Sequence, residues 1–205
     1  MINPIVLSKT DSNTKQLFLE ISTENRDAFN ALFHRKYEKL VRFAQNFVAV
    51  NSLAEEAVSD VFVSVWINRD KLPAIDNPDT YLYVSVKNRC LNTLRSKPYT
   101  IAIDEQPDIK KTEYDTPHKE MEYRELYEKL NRLINQLPEQ QRLVFRMIKE
   151  NGLSAKECAR ILNISVRTAE THVYKAVKKL EEEITAYLGY SPKKKTTKRM
   201  IMLAL

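Results

Sequence analysis

Only two glycines, Gly152 and Gly189, occur among 205 residues, against eight prolines. Glycine supplies the positive-φ backbone of tight turns, so a chain this poor in it has few of the turn signals that many short strands require. Long elements joined by few turns remain, and apolar spacing says which kind. Phe29, Leu32, Phe33, Tyr37, Leu40, Phe43, Ala44 and Phe47 recur at three- and four-residue steps between Asn25 and Val50, the pattern of a helix with one buried face. Hydrophobic residues make up 43% of the chain, enough for packed cores, and the length suits two small domains. The expected fold class is all-α, two helical domains joined by a flexible linker.

The boundaries follow from where periodicity stops. After an N-terminal extension, residues 1–21, a first domain covers 22–97: the helix just described, a second over about 53–68, a loop KLPAIDNPD, and the helix TYLYVSVKNRCLNTLRSK, which Asp79 or Thr80 is expected to cap. Residues 98–120 are polar, acidic and aperiodic, as in a flexible linker. A second domain covers 121–188. Its first helix carries Tyr127, Leu130, Leu133, Ile134 and Leu137 and stops before Pro138, and its second, over 140–151, ends at Gly152. The tail 189–205 is basic, then apolar. Formal charge runs 0, +2, −3, +2 and +5 along these five blocks, giving the net +6, so two mildly basic domains flank an acidic connector.

In LSAKECARILNISVRTAETHVYKAVKKLEEEI, Ser154 and Glu157 have capping-box spacing and start a short helix through Leu162. Asn163-Ile164 makes the turn, and Ser165 caps a longer, basic helix. This is helix-turn-helix spacing. On the long helix, Val166, Ala169, Val173, Ala176, Val177, Leu180 and Ile184 fall on a core side, with Glu170 near its boundary, where a local ion pair is expected rather than a base contact. Thr168, Thr171, His172, Lys175, Lys178 and Lys179 fall opposite, with Arg167 at the edge. Hydroxyl, imidazole and cationic groups near the start of such a helix reach base edges in the major groove, and lysines further along meet phosphates.

Two other faces are unusual. On the helix over 53–68, Ala54, Ala57, Val58, Val61, Phe62 and Val65 form a buried arc, while Glu56, Ser59, Asp60 and Val63 lie outside it with Trp66, the only tryptophan, at the margin. Interleaved apolar and acidic groups of this kind suit a protein interface anchored by an aromatic ring. On TYLYVSVKNRCLNTLRSK, Leu82, Tyr83, Val86, Cys90 and Leu94 face a core. Tyr81, Ser85, Asn88, Asn92 and Arg95 share the other side, flanked by Lys87 and Arg89, with no acid between Asp79 and Asp104. A ring to stack a base, amides to pair with its edge and cations for phosphates suit single-stranded nucleic acid.

Cys90 and Cys158 sit in apolar positions with no Cys or His at ligand spacing, as expected of buried thiols in a reducing compartment. The chain shows no glycine-rich phosphate loop, no metal-spaced cluster and no recognisable nucleophile-base constellation, so no enzyme, cofactor or metal is expected. The start MINPIVLSKTDSNTK is unlike a signal peptide and MIMLAL is too short to span a bilayer, so the expected location is cytoplasmic.

Four stretches, DAFNALFHRKYEKLVRFA, AEEAVSDVFVSVW, YLYVSVKNRCLNTLRS and LPEQQRLVFRMIKENGLSAKECARILNISVRTAETHVYKAVKKL, together resemble the bacterial RNA polymerase sigma-70 factors of the extracytoplasmic function type, in the form common in Bacteroidetes. The resemblance covers about residues 24–186. It implies that 22–97 is sigma region 2 and 121–188 sigma region 4. It further implies that Glu56, Asp60, Phe62 and Trp66 dock on the clamp coiled coil of the polymerase largest subunit, with Ser59 where the family often has glutamine. Lys87 and Asn88 then match the pair beside the pocket for a flipped minus-ten base, and Ile75 to Asp79 the loop that captures it. Arg167, Thr168, Thr171 and Lys175 match minus-thirty-five contacts. The implied partners are core polymerase, through clamp and flap, promoter DNA and a membrane-associated anti-sigma factor, with no direct membrane insertion. The acidic linker would thread toward the active-site cleft and RNA exit path. The rival reading is a helix-turn-helix regulator that binds its DNA tightly without polymerase.

Overall fold

The helical periodicity of the sequence is realised throughout a computed structural model that describes residues 9–96, 125 and 128–188, with no strand among the described residues. The chain divides into two units, 1–107 and 108–205. The acidic linker 98–120 and the tail 189–205 lie outside the described residues, as do residues 1–8.

The first unit contains α1 (Lys9–Ser22), α2 (Arg26–Ala44), α3 (Asn51–Ile67), a 3-10 segment (Arg69–Ala74) and α4 (Pro78–Ser96). α1 and α2 are joined by a short reversal in which Glu24 takes a left-handed φ of 65°. Asn25 then caps α2, its side-chain oxygen accepting from Ala28 N–H at 3.1 Å. The short side chains Ala54, Ala57 and Val58 on the buried side of α3 let neighbouring helices approach. Phe62 from the same side enters an aromatic group with Phe33 (4.9 Å between centroids) and Phe29 (6.1 Å) of α2. Phe43 meets Tyr83 of α4 edge-on at 4.9 Å.

Three expectations for this unit need correction. Residues 9–21 are not an extension outside the domain: Leu17, Phe18 and Ile21 are buried, and α1 packs on the 3-10 segment, α2 and α4. Its polar first half, KTDSNTK, hides the apolar face from a periodicity search. The cap of α4 is Asn77, whose Oδ1 accepts from Thr80 N–H at 2.9 Å, with Pro78 in the first helical position, where a missing N–H costs nothing. Asp79 is instead buried, paired with Lys36 of α2 and accepting from Thr14 Oγ1 of α1 at 3.1 Å. Leu94, assigned to the core, is exposed on the last turns of α4, as is Leu91.

The second unit contains a helix α5 over 128–135, then α6 (Glu139–Lys149), α7 (Ala155–Leu162) and α8 (Val166–Leu188). Leu130, Leu133, Ile134, Leu137 and Phe145 pack against Ala176, Leu180 and Ile184 of α8. Gly152 follows α6 with φ 70°, where a side chain would be strained. The capping box at α7 is complete: Glu157 N–H donates to Ser154 Oγ, and Ser154 N–H to Glu157 Oε2 at 2.7 Å. Asn163 ends α7 in the left-handed region, φ 57° and ψ 48°, and Ser165 Oγ accepts from Thr168 N–H at 3.0 Å to start α8. That left-handed residue makes the tight turn between the two helices.

Candidate nucleic-acid interface

On the first unit, α3 and α4 lie side by side and leave an open groove of about 510 Å³ between their outer faces. Tyr81, Ser85, Asn88 and Asn92 of α4 form one wall, and Asp60, Val63 and Ile67 of α3 form the other. Four of the six residues expected to meet single-stranded nucleic acid are thus gathered in one place. Lys87 and Arg95 stand outside the lining. Tyr81 is half-buried, its ring edge-on to Phe18 of α1 at 6.2 Å, which fixes the ring while leaving part of it at the surface. Pro78 and Asp79 are buried, so of the loop Ile75 to Asp79 only its first three residues have surface to offer.

The groove is crossed by an ion pair. Arg89 Nε donates to Asp60 Oδ2 at 2.8 Å, so a carboxylate from α3 stands against the stripe of α4 that carries no acid of its own. Of the residues assigned to polymerase docking, Glu56 and Ser59 are exposed, Asp60 and Trp66 half-buried, and Val63 is 56% exposed. Phe62 is buried among Phe29, Phe33 and Tyr37 and holds α3 in place; it offers no surface to a partner. Trp66 packs on Phe29 at 5.2 Å, and the Arg69 guanidinium covers its ring at 5.2 Å. Ile67, 66% exposed, lies one turn beyond Val63 and extends the apolar strip. Continuing the four-residue step from Val63 finds it in the sequence.

On the second unit, Arg167, Thr168, Thr171, Lys175 and Lys178 of α8 are exposed. Lys178 Nζ lies 3.8 Å from Glu182, a pair so open that phosphate can compete for it. His172 is half-buried with Nδ1 closed off from solvent. Glu170 is exposed where a helical wheel puts it near the core boundary, and Val166, placed in the core, is exposed too. A wheel assumes even cover. Here α6 and α7 both pack on α8, and burial near its start is displaced toward His172 and away from Glu170. The open flank collects Arg167, Glu170, Thr171 and Tyr174 around one shallow cleft. Tyr174, 68% exposed, escapes a search for basic and hydroxyl residues.

No described helix is long and apolar enough to cross a membrane. Both cysteines are buried, and loss of water raises their thiols, Cys90 to about 11 and Cys158, with Glu157 adding to the effect, to about 12. They are packing residues, inert as nucleophiles.

Comparison with known proteins joins the two surfaces. Residues 32–98 match the family model for Sigma-70 region 2, and residues 127–180 that for Sigma-70, region 4; together these span more than half of the chain. The ECF RNA polymerase sigma factor RpoE of Cereibacter sphaeroides is 25% identical over 186 residues, covering 86% of this chain and 98% of that one. Among solved structures, CnrH in complex with the cytosolic domain of CnrY is similar with a TM-score of 0.55 at 21% identity, covering 85% of this chain and 98% of its own. The sigma factor RpoE in complex with the anti-sigma factor NepR, from Bartonella quintana, is similar with a TM-score of 0.56 at 19% identity, covering 77% and 96%. At such identities the structures testify to the fold, while the two family matches, in this order on one chain, testify to its work: the chain belongs to the sigma-70 family and is an extracytoplasmic-function RNA polymerase sigma factor, directing transcription initiation at promoters.

Proposed function

We propose that the two surfaces divide promoter recognition between them. The first domain docks on the clamp coiled coil of the polymerase through Glu56, Ser59, Asp60, Val63 and Trp66. It receives melted minus-ten DNA in the groove of Tyr81, Ser85, Asn88 and Asn92, with Lys87 and Arg95 at its margins for phosphates. The second domain meets the polymerase flap and places α8 in the minus-thirty-five major groove, with Arg167, Thr168, Thr171 and His172 toward bases and Lys175 and Lys178 toward phosphates. Opening the duplex then needs no hydrolysis by this chain: capturing flipped bases offsets an unstacking cost of about a few kcal/mol per step. The groove between α3 and α4 carries this reading, because it brings a ring and three polar side chains together beside the strip Val63–Ile67.

The Bacteroidetes form of the family is supported by the four sequence stretches that resemble it. The chain is a transcription factor acting on DNA in the cytoplasm and catalyses nothing itself. Because CnrH was solved with the cytosolic domain of CnrY and the Bartonella RpoE with the anti-sigma factor NepR, an anti-sigma partner is part of the proposal. Transcription in vitro with purified core polymerase and promoter-bearing genomic fragments tests the reading. Initiation at defined sites only when the chain is added is expected; tight site binding by the chain alone, with no core-dependent initiation, overturns it.

A further inference from the structure

A free carboxylate on the DNA-facing side of a basic helix calls for an explanation. Glu170 is exposed on the second turn of α8, and among the described residues no cation pairs with it, although Arg167 stands one turn before. Set among phosphates it is repelled, unless something in the groove donates a hydrogen bond to it. Its neighbour Thr171 presents the same chemistry. The Thr171 hydroxyl donates to the Arg167 carbonyl oxygen at 2.7 Å, so toward solvent it offers lone pairs only. Arg167, Glu170, Thr171 and Tyr174 line one cleft, so a fork of donors, two adjacent acceptors and an aromatic ring follow one another along a single flank. At about 1.5 Å of rise per residue the flank is roughly 10 Å long, about three base-pair steps.

The major groove answers such a row selectively. Guanine and thymine show acceptors there, O6 and N7 or O4, which meet a carboxylate acceptor to acceptor. Cytosine N4 and adenine N6 are the only amino donors. We infer that Glu170, with Thr171 beside it, selects one base pair of the upstream promoter element by accepting from the amino group of cytosine or adenine, and rejects guanine or thymine at that position. Glu170 is therefore a specificity-determining residue whose charge weakens binding in general and sharpens it at one step. The inference rests on α8 being the helix that enters the duplex, as proposed above.

Holoenzyme reconstituted from the full chain and purified core polymerase, transcribing a promoter library randomised across the upstream element, provides the test. The wild type is expected to enrich cytosine or adenine at one position. Glu170→Ala should flatten that position about tenfold or more while sparing the others, and Glu170→Gln should shift it toward adenine, which glutamine holds through N6 and N7. Preferences unchanged at every position, or a uniform change at all of them, overturn the inference while leaving the proposed function standing. No promoter-dependent initiation by the wild type overturns both.

Discussion

Lys36 and Asp79 show what a single residue can hide in a sequence. Both are charged and both are buried, and with Thr14 they tie α1, α2 and α4 together at one point. Asp79 reads as a helix cap because it stands beside a proline before a periodic run, and nothing local distinguishes it from Asn77, which does the capping. Its burial depends on Lys36, forty-three residues earlier, so it is invisible to any window. Removing one partner strands the other charge away from water, so Asp79→Ala is expected to cost about 3–5 kcal/mol in urea unfolding, and Lys36→Met with Asp79→Leu much less than either single change. The cysteines behave as their apolar setting foretells. Their thiols should resist alkylation at pH 8 until the chain is unfolded. Because burial raises both above the ordinary 9.0, folding stability from this source is complete below about pH 9. It is lost as pH rises through the folded values near 11 and 12, where the unfolded chain has released protons that the folded one retains; an alkaline unfolding series measures it.

At the scale of elements, α7 is the most dependent on its ends. Eight residues are too few for a helix to stand alone in water, so its reciprocal cap and its packing on α8 and α6 hold it. Ser154→Ala removes the acceptor for Glu157 N–H and should destabilise the second domain by about 1 kcal/mol, read as a lower unfolding midpoint with an unchanged denaturant slope. The capping box, the turn at Asn163 and the Ser165 cap were all legible in order along the chain, because capping is chemistry between residues three apart. The exposed flank of α8 was not. Whether Glu170, Val166 and Tyr174 face solvent depends on how α6 and α7 cover the helix, and that is decided by packing partners.

For the whole molecule, the proposed division of labour between domains predicts two classes of defect. Asn88→Ala and Tyr81→Ala should lower open-complex formation, by permanganate footprinting, while core binding is kept. Lys175→Ala should weaken upstream promoter binding and reduce its salt slope by about 1. A premelted template should rescue the first class in part and the second not at all. The sequence by itself determined the all-helical class, the helix-turn-helix, the unusual composition of two helix faces and the family, since periodicity, capping and motif order are local and survive in one dimension. Tertiary structure decided which of those residues meet. It placed α1 inside the first domain, withdrew Phe62, Pro78 and Asp79 from the surface, and added Ile67 to the strip begun by Val63. It also carried Asp60 of α3 across to Arg89 of α4. The stripe that lacks an acid along the chain has one in space, because two helices packed side by side share a groove that neither contains alone.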